Sequence, residues 1–236
     1  MNSDKVNKIK QKIKDDKENA LQKIIYLIAN GANVKSPEDL HISGNLTCGH
    51  NVTFDVNVII EGEVILEDNV IIEANCILKN CKIGKNTLIK SFSIIDGSVI
   101  GENSFLGPYA RIRPNVMIGN NVQIGNFVEI KNSNIDSYSR INHLAFVGDT
   151  DIADRVTIGA GTITCNHDGN KINRTVIDSG AYVGSGCNLV APLIINANAT
   201  IASGSTITDE VSSDTLTIAR SRQITIANWQ GPKSSE

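Results

Sequence analysis

His143 lies in the segment RINHLAFVGD, which covers residues 140–149. A neutral imidazole can accept a proton from an attacking group, because it titrates close to physiological pH. The neighbouring residues offer no obvious second metal ligand, so the segment does not indicate a metal site. The residue type alone leaves open both a role in proton transfer and a histidine without a catalytic role.

Two cations, Arg113 and Lys131, lie eighteen residues apart. In a chain that repeats every eighteen residues they would face the same way on adjacent coils, about one strand spacing of roughly 4.8 Å apart. Two stacked cations repel each other unless an anion lies between them, and both residue types bind phosphate. The spacing favours a phosphate site, and the alternative is an exposed basic ladder.

The elements that position these residues follow from a six-residue period. Aliphatic residues recur every six residues, except that the step from Ile130 to Ile135 is one residue shorter. The series is Leu106, Ile112, Ile118, Ile124, Ile130, Ile135, Ile141 and Val147. Three such hexapeptides form one coil whose aliphatic side chains point inward and stack on the next coil. The period predicts an all-β parallel β-helix.

Residues between the aliphatic positions, as in IGNNVQIGN, are Asn and Gly, which tolerate the left-handed backbone of tight corners. The period breaks at length once, in GAGTITCNHDGNKINRT, residues 159–175. The extra residues must leave the coil as a loop or widen it, and loops on rigid scaffolds often carry sites. The alternative is a plain corner insertion.

Residues 4–29 have apolar side chains at spacings of three, four or seven, which predicts one amphipathic helix. Ser3 and Asp4 are the candidate caps, and Gly31 is the candidate stop. The helix is rich in lysine, but acidic residues are interleaved and no aromatic platform accompanies them. We therefore interpret the lysines as a solvated face, and expect neither nucleic-acid nor membrane binding.

The composition, 236 residues with a net charge of −3 and 41% hydrophobic residues, allows one globular unit with a substantial core. We divide the chain into a helical segment, residues 1–31, and a β-helix domain, residues 40–236. No segment is apolar for long enough to span a membrane, and the start lacks the features of a secretory signal. A soluble cytoplasmic protein is expected. The cysteines form no CxxC pair, so neither a disulfide framework nor a zinc site is indicated.

Several motifs together resemble a known family, namely GPYARIRP (107–114), IGNFVEIK (124–131), INHLAFVGD (141–149), IGAGTITCNHDG (158–169), VGSGCNLVAP and TIASGSTIT. They are similar to the acetyltransferase half of the bacterial bifunctional N-acetylglucosamine-1-phosphate uridylyltransferase/glucosamine-1-phosphate acetyltransferase. The likeness covers roughly residues 20–230. It implies a left-handed parallel β-helix of hexapeptide repeats behind an N-terminal α-helix, and a homotrimer with active sites between subunits.

The resemblance also implies roles for individual residues. His143 would be the general base that takes a proton from the sugar amine as the amine attacks acetyl-CoA. Asn166 would orient the amine or the thioester. The sugar phosphate would be held by Arg113 and Lys131, and the acceptor would be lined further by Phe146 and Thr157. The resemblance places acetyl-CoA against Ala160, Asn166, His167, Ser185, Ser203 and Arg220, and it implies no metal for the transfer.

Four positions depart from the family pattern. Phe146 and His167 stand where tyrosines are expected, Thr157 where an asparagine is expected, and Ile172 where a lysine is expected. Lys171 and Arg174 are the nearby cations that could compensate. Lost charge-assisted contacts, worth about 1.5–3 kcal/mol each, would weaken phosphate recognition and shift or broaden the acceptor.

Three hypotheses remain open from the sequence. The first is an acetyl-CoA-dependent N-acetyltransferase acting on glucosamine-1-phosphate in UDP-N-acetylglucosamine biosynthesis. The second is an acetyltransferase on another amino sugar, including nucleotide-linked ones, and the third is an inactive trimeric scaffold. The glycine-rich nucleotide loop of the uridylyltransferase half is absent, so we expect no nucleotidyl transfer, and a separate uridylyltransferase is a candidate partner.

Overall fold

The computed structural model describes residues 3–231, so the predicted domain limits at residues 1 and 236 lie outside the described residues. The helix α1 covers Ser3–Ala29, and the predicted caps Ser3 and Asp4 both lie within it. A short 3-10 helix covers Pro37–Asp39. The remaining regular structure consists of short parallel strands.

The helix ends as predicted at Gly31, which has a φ of +94°. The amide N of Gly31 donates to the carbonyl O of Ile28 at 3.0 Å, and that of Ala32 donates to Leu27 at 3.0 Å. This pair of bonds is a Schellman motif, in which a left-handed glycine satisfies the last helical carbonyls. Leu27 and Ala32 are both buried, so the end of the helix packs on the first coils.

The strands form a prism with three faces. The first face is an 11-stranded sheet. Its strands are Asn33–Val34, Thr53–Phe54, Ile71–Ile72, Leu88–Ile89, Phe105–Leu106, Gln123–Asn126, Arg140–His143, Thr157–Ile158, Tyr182–Val183, Thr200–Ile201 and Leu216–Thr217. The first of these strands precedes residue 40, where the sequence analysis begins the β-helix.

The other two faces belong to one 16-stranded sheet that folds around an edge. Three long strands span both faces, Leu40–Cys48, Val58–Leu66 and Ile77–Ile83. The second face carries Ile94–Asp96, Arg111–Ile112, Glu129–Lys131, Phe146–Gly148, Ile163–Cys165, Asn188–Val190 and Thr206–Ile207. The third face carries Ser98–Ile100, Val116–Ile118, Asn134–Ile135, Thr150–Ile152, Thr175–Ile177 and Leu193–Ile195.

The aliphatic residues of the six-residue period fill the interior. Ile112, Ile124 and Ile141 have no exposed surface, and each stacks on the corresponding aliphatic residue of the next coil. Every described strand pair is parallel and keeps this register through most of the prism, because a shift by one residue would turn the aliphatic side chains outward. The predicted class, a parallel β-helix of hexapeptide repeats behind an N-terminal helix, is confirmed.

The corners are only partly as predicted. Asparagine does occupy many left-handed corner positions, but Phe92, Tyr109, Phe127, Tyr138 and Leu144 also have positive φ. The rings of Phe92 and Tyr109 stack at 4.9 Å, and those of Tyr109 and Phe127 at 5.0 Å. Such stacking offsets part of the roughly 1–2 kcal/mol that a left-handed conformation costs a residue with a side chain.

Candidate functional site

His143 ends a strand of the first face, where the chain turns towards the second face, and its side chain is exposed. Its Nδ1 lies 2.6 Å from Oδ1 of Asn126 on the preceding coil. With the amide of Asn126 in this orientation, its oxygen accepts the hydrogen bond and Nδ1 carries the hydrogen. The other ring nitrogen, Nε2, then presents a lone pair to solvent. This is the tautomer that a general base requires.

The edge between the first and second faces is called the His143 edge, and on successive coils it carries His143, Ala160, Ser185 and Ser203. Backbone bonds join these coils: the amide N of Gly161 donates to His143 O at 3.1 Å, and that of Gly186 donates to Ala160 O at 2.7 Å. The predicted coenzyme residues Ala160, Ser185 and Ser203 therefore run in one line from the candidate base.

The corner position of this edge changes character after His143. It carries the side chains of Phe127 and Leu144, and then on three successive coils it is Gly161, Gly186 and Gly204, each with a φ near +70°. A Cβ added to Gly186 would meet nothing within 4 Å. One added to Gly204 would meet Cδ of Arg220 at 3.6 Å. The edge is thus bare from His143 to Arg220, with room for an elongated ligand.

The edge between the second and third faces is called the cation edge and is defined by Arg113, Lys131 and Asp149. Nη1 of Arg113 lies 2.9 Å from a carboxylate oxygen of Glu129, and Nζ of Lys131 lies 3.6 Å from Asp149. A cavity of about 360 Å³ opens here, and Ile172 also lines it. The prediction that the two cations would lie together is met, because both line this cavity.

The electrostatic argument for phosphate is wrong, however. It assumed that the repulsion between Arg113 and Lys131 needed an outside anion, whereas Glu129 and Asp149 already compensate both charges. A phosphate ligand is therefore not demanded by the charges of the chain. Half-buried cations with carboxylate partners can still bind an anion, but they must exchange or share those partners to do so.

Asp149 has a side chain that is only 4% exposed, and its φ is +52°. Its carboxylate accepts hydrogen bonds from the side-chain amides of Asn132 and Asn166 and faces the ammonium of Lys131. Burial alone would raise the pKa of Asp149, but the bonds from the two amides and the charge of Lys131 outweigh burial and lower it. The carboxylate is therefore ionised at neutral pH.

The remaining predicted residues are spread over the prism. Phe146 is half-buried on the second face, between the two edges, and Thr157 lies on the first face beside Arg140. Asn166 and His167 follow a strand of the second face and lie at the cation edge. Asn166 is therefore not beside His143 within one chain, although the two were predicted to act together.

The predicted insertion, residues 159–175, is shorter than expected. Residues up to Cys165 stay in the coil, and the chain leaves it only between Cys165 and Thr175. This loop closes on itself through an antiparallel bridge between His167 and Ile172. In the loop, the amide N of Gly169 donates to Nδ1 of His167 at 3.2 Å.

Arg174 does not supply the missing cation in this structure. Its guanidinium donates to both carboxylate oxygens of Asp151 and also to the backbone O of Asn132. The Asp151 carboxylate raises the pKa of Arg174, so the pair is tight. Lys171 does not line the cavity of the cation edge. The resemblance predicts a lysine at position 172. Neither Arg174 nor Lys171 replaces its charge in the cavity of the cation edge.

The sequence analysis missed two polar residues that contact predicted ones, Asn126 and Asp149. Asn126 precedes His143 by seventeen residues, and Asp149 precedes Asn166 by seventeen. The signal was present in the shortened coil, since a seventeen-residue turn stacks residues at that spacing. Two larger grooves of about 610 Å³ each lie elsewhere, along the third face around Val99 and Met117.

Among residues 3–231, no group of three or more His, Cys, Asp or Glu side chains is arranged to hold a metal ion. Within the same range, no helix has the length and apolar character needed to cross a membrane. The cysteines are all free thiols, and burial raises the pKa of Cys76 to about 11 and of Cys81 to about 12. These thiols are therefore protonated at neutral pH.

Two family models match parts of the chain. The family model described as Bacterial transferase hexapeptide (six repeats) matches residues 97–132, and the model of the GMPPB C-terminal domain matches residues 42–113. LpxA from Acinetobacter baumannii has a TM-score of 0.49 at 16% identity, covering 79% of this chain and 71% of that one.

Two curated proteins are similar to this chain in sequence over about 100 residues each. The bifunctional protein GlmU of Methylobacillus flagellatus is 55% identical over 103 residues, 44% of this chain and 22% of that protein. GlmU of Janthinobacterium sp. is 48% identical over 102 residues, 43% of this chain and 23% of that protein. The chain thus spans less than a quarter of the length of these relatives.

The repeats and the prism define the class of this chain by its fold, a parallel β-helix of hexapeptide repeats, and residues 97–132 are similar to the bacterial transferase hexapeptide model. The particular resemblance is to the bifunctional protein GlmU, as the motifs around His143 indicated. The sequence-based resemblance to the acetyltransferase half of the bifunctional bacterial enzyme is therefore confirmed.

Proposed function

We propose that this chain is an acetyl-CoA-dependent N-acetyltransferase that acts on glucosamine-1-phosphate. The observation that carries the proposal is the arrangement at the His143 edge. There a histidine held in the Nδ1–H tautomer stands at the head of a bare, glycine-lined edge that ends at Arg220. An elongated thioester laid along this edge would bring its acyl group to Nε2 of His143, with Arg220 near the phosphates of the coenzyme.

In the proposed reaction, the sugar amine attacks the thioester carbon. A nitrogen–carbon bond forms, the carbon–sulfur bond breaks, and the proton of the amine passes to Nε2 of His143. The imidazolium then returns the proton to the departing thiolate, so that free coenzyme A thiol and the N-acetyl sugar leave. A positioned base of this kind typically contributes 10²- to 10⁴-fold to the rate.

Within a single chain the two edges lie at opposite ends of the second face. Asp149 follows His143 by six residues, and the strand Phe146–Gly148 lies between them. In glucosamine-1-phosphate, the amine and the phosphate are on adjacent ring carbons. We therefore place the site between two copies of the chain, the His143 edge of one facing the cation edge of its neighbour, within a homotrimer.

The third face supports association. Met117 is 60% exposed and Val99 is 44% exposed on neighbouring strands, and the same column also carries polar residues, namely Lys82, Asn134 and Asp151. Exposed apolar pairs such as Val99 and Met117 are typical of a surface that another subunit covers. Light scattering should give three times the chain mass of 25.4 kDa. A monomer at micromolar concentration would contradict the shared site.

A second candidate function is acetyl transfer to a different amino sugar. Ile172 places an apolar side chain in the cavity of the cation edge, and Glu129 and Asp149 neutralise its cations. This cavity is less suited to a doubly charged phosphate than one with a free lysine. Acceptors with a phosphodiester link, as in nucleotide-linked sugars, carry less charge at that position.

The test measures release of free coenzyme A thiol from acetyl-CoA with glucosamine-1-phosphate, glucosamine-6-phosphate and a panel of UDP-linked amino sugars. Turnover with glucosamine-1-phosphate that falls at least 10²-fold in His143→Ala supports the first function. His50, an exposed histidine on the N-terminal coils, gives the matched control His50→Ala, which should retain full activity. Turnover only with another amine supports the second function, and no turnover with any acceptor contradicts both.

A further inference from the structure

Asp149 is a buried carboxylate in a left-handed corner, a position that asparagine fills at the coil before it. Three polar side chains converge on it from the two neighbouring coils: the amide of Asn132 and the ammonium of Lys131 from the coil before it, and the amide of Asn166 from the coil after it. A buried charge is costly unless it is paired and hydrogen-bonded, and this one is both. Nothing in the proposed chemistry uses Asp149 directly.

The carboxylate determines how the two amides point. An ionised carboxylate has only acceptors, so each amide must turn its NH₂ group towards Asp149. The carbonyl oxygen Oδ1 of Asn166 is then the free end of its amide. Asn166 would otherwise present either end, because the two ends of an amide have almost the same shape.

Space around Asn166 also favours one fixed orientation. A Cβ added to Gly148 would lie 3.0 Å from Nδ2 of Asn166 and 2.8 Å from the ring of Phe146. The amide and the ring therefore pack on the bare backbone of Gly148, next to Asp149. Asn166 is fixed by packing on one side and by the charged hydrogen bond on the other.

We propose that Asp149 is a positioning residue that orients Asn166, so that Oδ1 of Asn166 accepts a hydrogen bond from an amine or hydroxyl donor of the acceptor sugar. This inference rests on the proposed function for the identity of the ligand. The fixed orientation of the amide is a property of the free protein. The orientation of the Asn166 amide can therefore be tested without turnover.

The first arm tests orientation. Side-chain amide protons that are held by a carboxylate exchange slowly with water, and NMR resolves them for each asparagine. In the wild type, the Nδ2 protons of Asn166 should be protected at least tenfold more than those of the exposed Asn228. In Asp149→Asn this protection should be lost while the remaining spectrum stays folded. An unprotected Asn166 amide in the wild type would overturn the proposal.

The second arm tests the consequence for the acceptor. Asp149→Asn should raise the KM for the acceptor tenfold or more and raise the KM for acetyl-CoA by much less, because Ala160, Ser185 and Ser203, which would hold most of the coenzyme, lie at the His143 edge. In an Asn166→Ala background, Asp149→Asn should raise the KM for the acceptor less than threefold. A general loss of folding would instead affect acetyl-CoA and the acceptor alike. If Asp149→Asn raises the KM for the acceptor as much in the Asn166→Ala background as in the wild type, the proposal is overturned.

Asp214→Asn is the matched control. Asp214 also occupies a left-handed corner, with a φ of +58°, and accepts an asparagine amide, from Asn198 at 3.0 Å, but it lies on the last coils, away from the cation edge. The control should leave the KM of the acceptor within twofold. If the wild type turns over no acceptor while the Asn166 amide is protected, the proposed function fails and the positioning role of Asp149 stands.

Discussion

Oδ1 of Asn126 lies 2.6 Å from Nδ1 of His143, and the two residues are paired in register on adjacent coils. The amide therefore decides which nitrogen of the imidazole is free. If His143 is the base, Asn126→Ala should reduce kcat/KM about 10- to 100-fold, because the imidazole then populates both tautomers and rotates more freely. The measurement is coenzyme A thiol release across a pH series.

Asn126→Asp gives a complementary result. It keeps the acceptor for Nδ1 and adds a negative charge that stabilises the imidazolium. Activity should be largely retained, and the acid limb of the pH–rate profile should move to higher pH. Equal activity in wild type and Asn126→Ala would show that this hydrogen bond does not support the reaction.

The bare corner at Gly186 leads to a second prediction. Gly186→Ala and Gly186→Leu share the same penalty for a left-handed residue, about 1–2 kcal/mol. They differ in how far they fill the His143 edge. Gly186→Leu should raise the KM for acetyl-CoA tenfold or more, and Gly186→Ala less than threefold. Leu144 shows that this corner accepts a leucine one coil before the glycines.

Steady-state kinetics with varied acetyl-CoA, together with thermal unfolding of both variants, separates lost space from lost stability. If the two variants have the same KM, the coenzyme does not lie along this corner.

The sequence predicted the fold well because the signal for a β-helix is local. Each hexapeptide buries one aliphatic residue, so Ile112, Ile124 and Ile141 reveal the period without knowledge of any distant contact. Left-handed corners were predicted where Asn stands, but not at Phe127 or Leu144. At Phe127, stacking on Tyr109 of the neighbouring coil offsets part of the cost of a conformation that the residue alone disfavours.

The site was less predictable because its contacts join side chains of different coils. The spacing placed Arg113 near Lys131, but it could not show that Glu129 and Asp149 neutralise them, since that depends on side-chain orientation. The spacing also did not reveal that Asn166 and His143 occupy different edges. One residue more or less in a coil moves a side chain from a face to a corner.

The pair of Asp151 and Arg174 predicts a pH dependence of stability. Hydrogen bonding to Arg174 is the main cause that lowers the pKa of Asp151. A carboxyl whose pKa is lowered by folding stabilises the fold above its unfolded value, near 4, and loses that contribution as pH falls through its folded value. Asp151→Asn should therefore reduce the free energy of unfolding at pH 7. Below about pH 4, the free energy of unfolding should decrease less steeply with falling pH in Asp151→Asn than in the wild type.

The side chains of this pair are 38% and 40% exposed, so the difference should stay below about 1 kcal/mol. Urea unfolding between pH 2 and pH 7 measures it. Parallel curves for wild type and Asp151→Asn would show that the pair contributes nothing to the acid dependence.

Ile172 offers the sharpest test of what the cavity at the cation edge binds. It is 55% exposed and lines that cavity with Arg113 and Lys131. Ile172→Lys adds a third cation to the cavity, where the described carboxylates Glu129 and Asp149 are already paired with Arg113 and Lys131. If the cavity takes the phosphate of glucosamine-1-phosphate, the KM for this acceptor should fall about tenfold, as one charge-assisted hydrogen bond of about 1.5–3 kcal/mol allows.

Ile172→Met, which has a similar volume and no charge, is the control and should leave that KM within twofold. The gain in Ile172→Lys should shrink at high salt, because the added lysine is exposed and screened. A higher KM for glucosamine-1-phosphate in Ile172→Lys would show that the acceptor presents an apolar or uncharged group to this wall. The second candidate function would then account for the cavity better than the first.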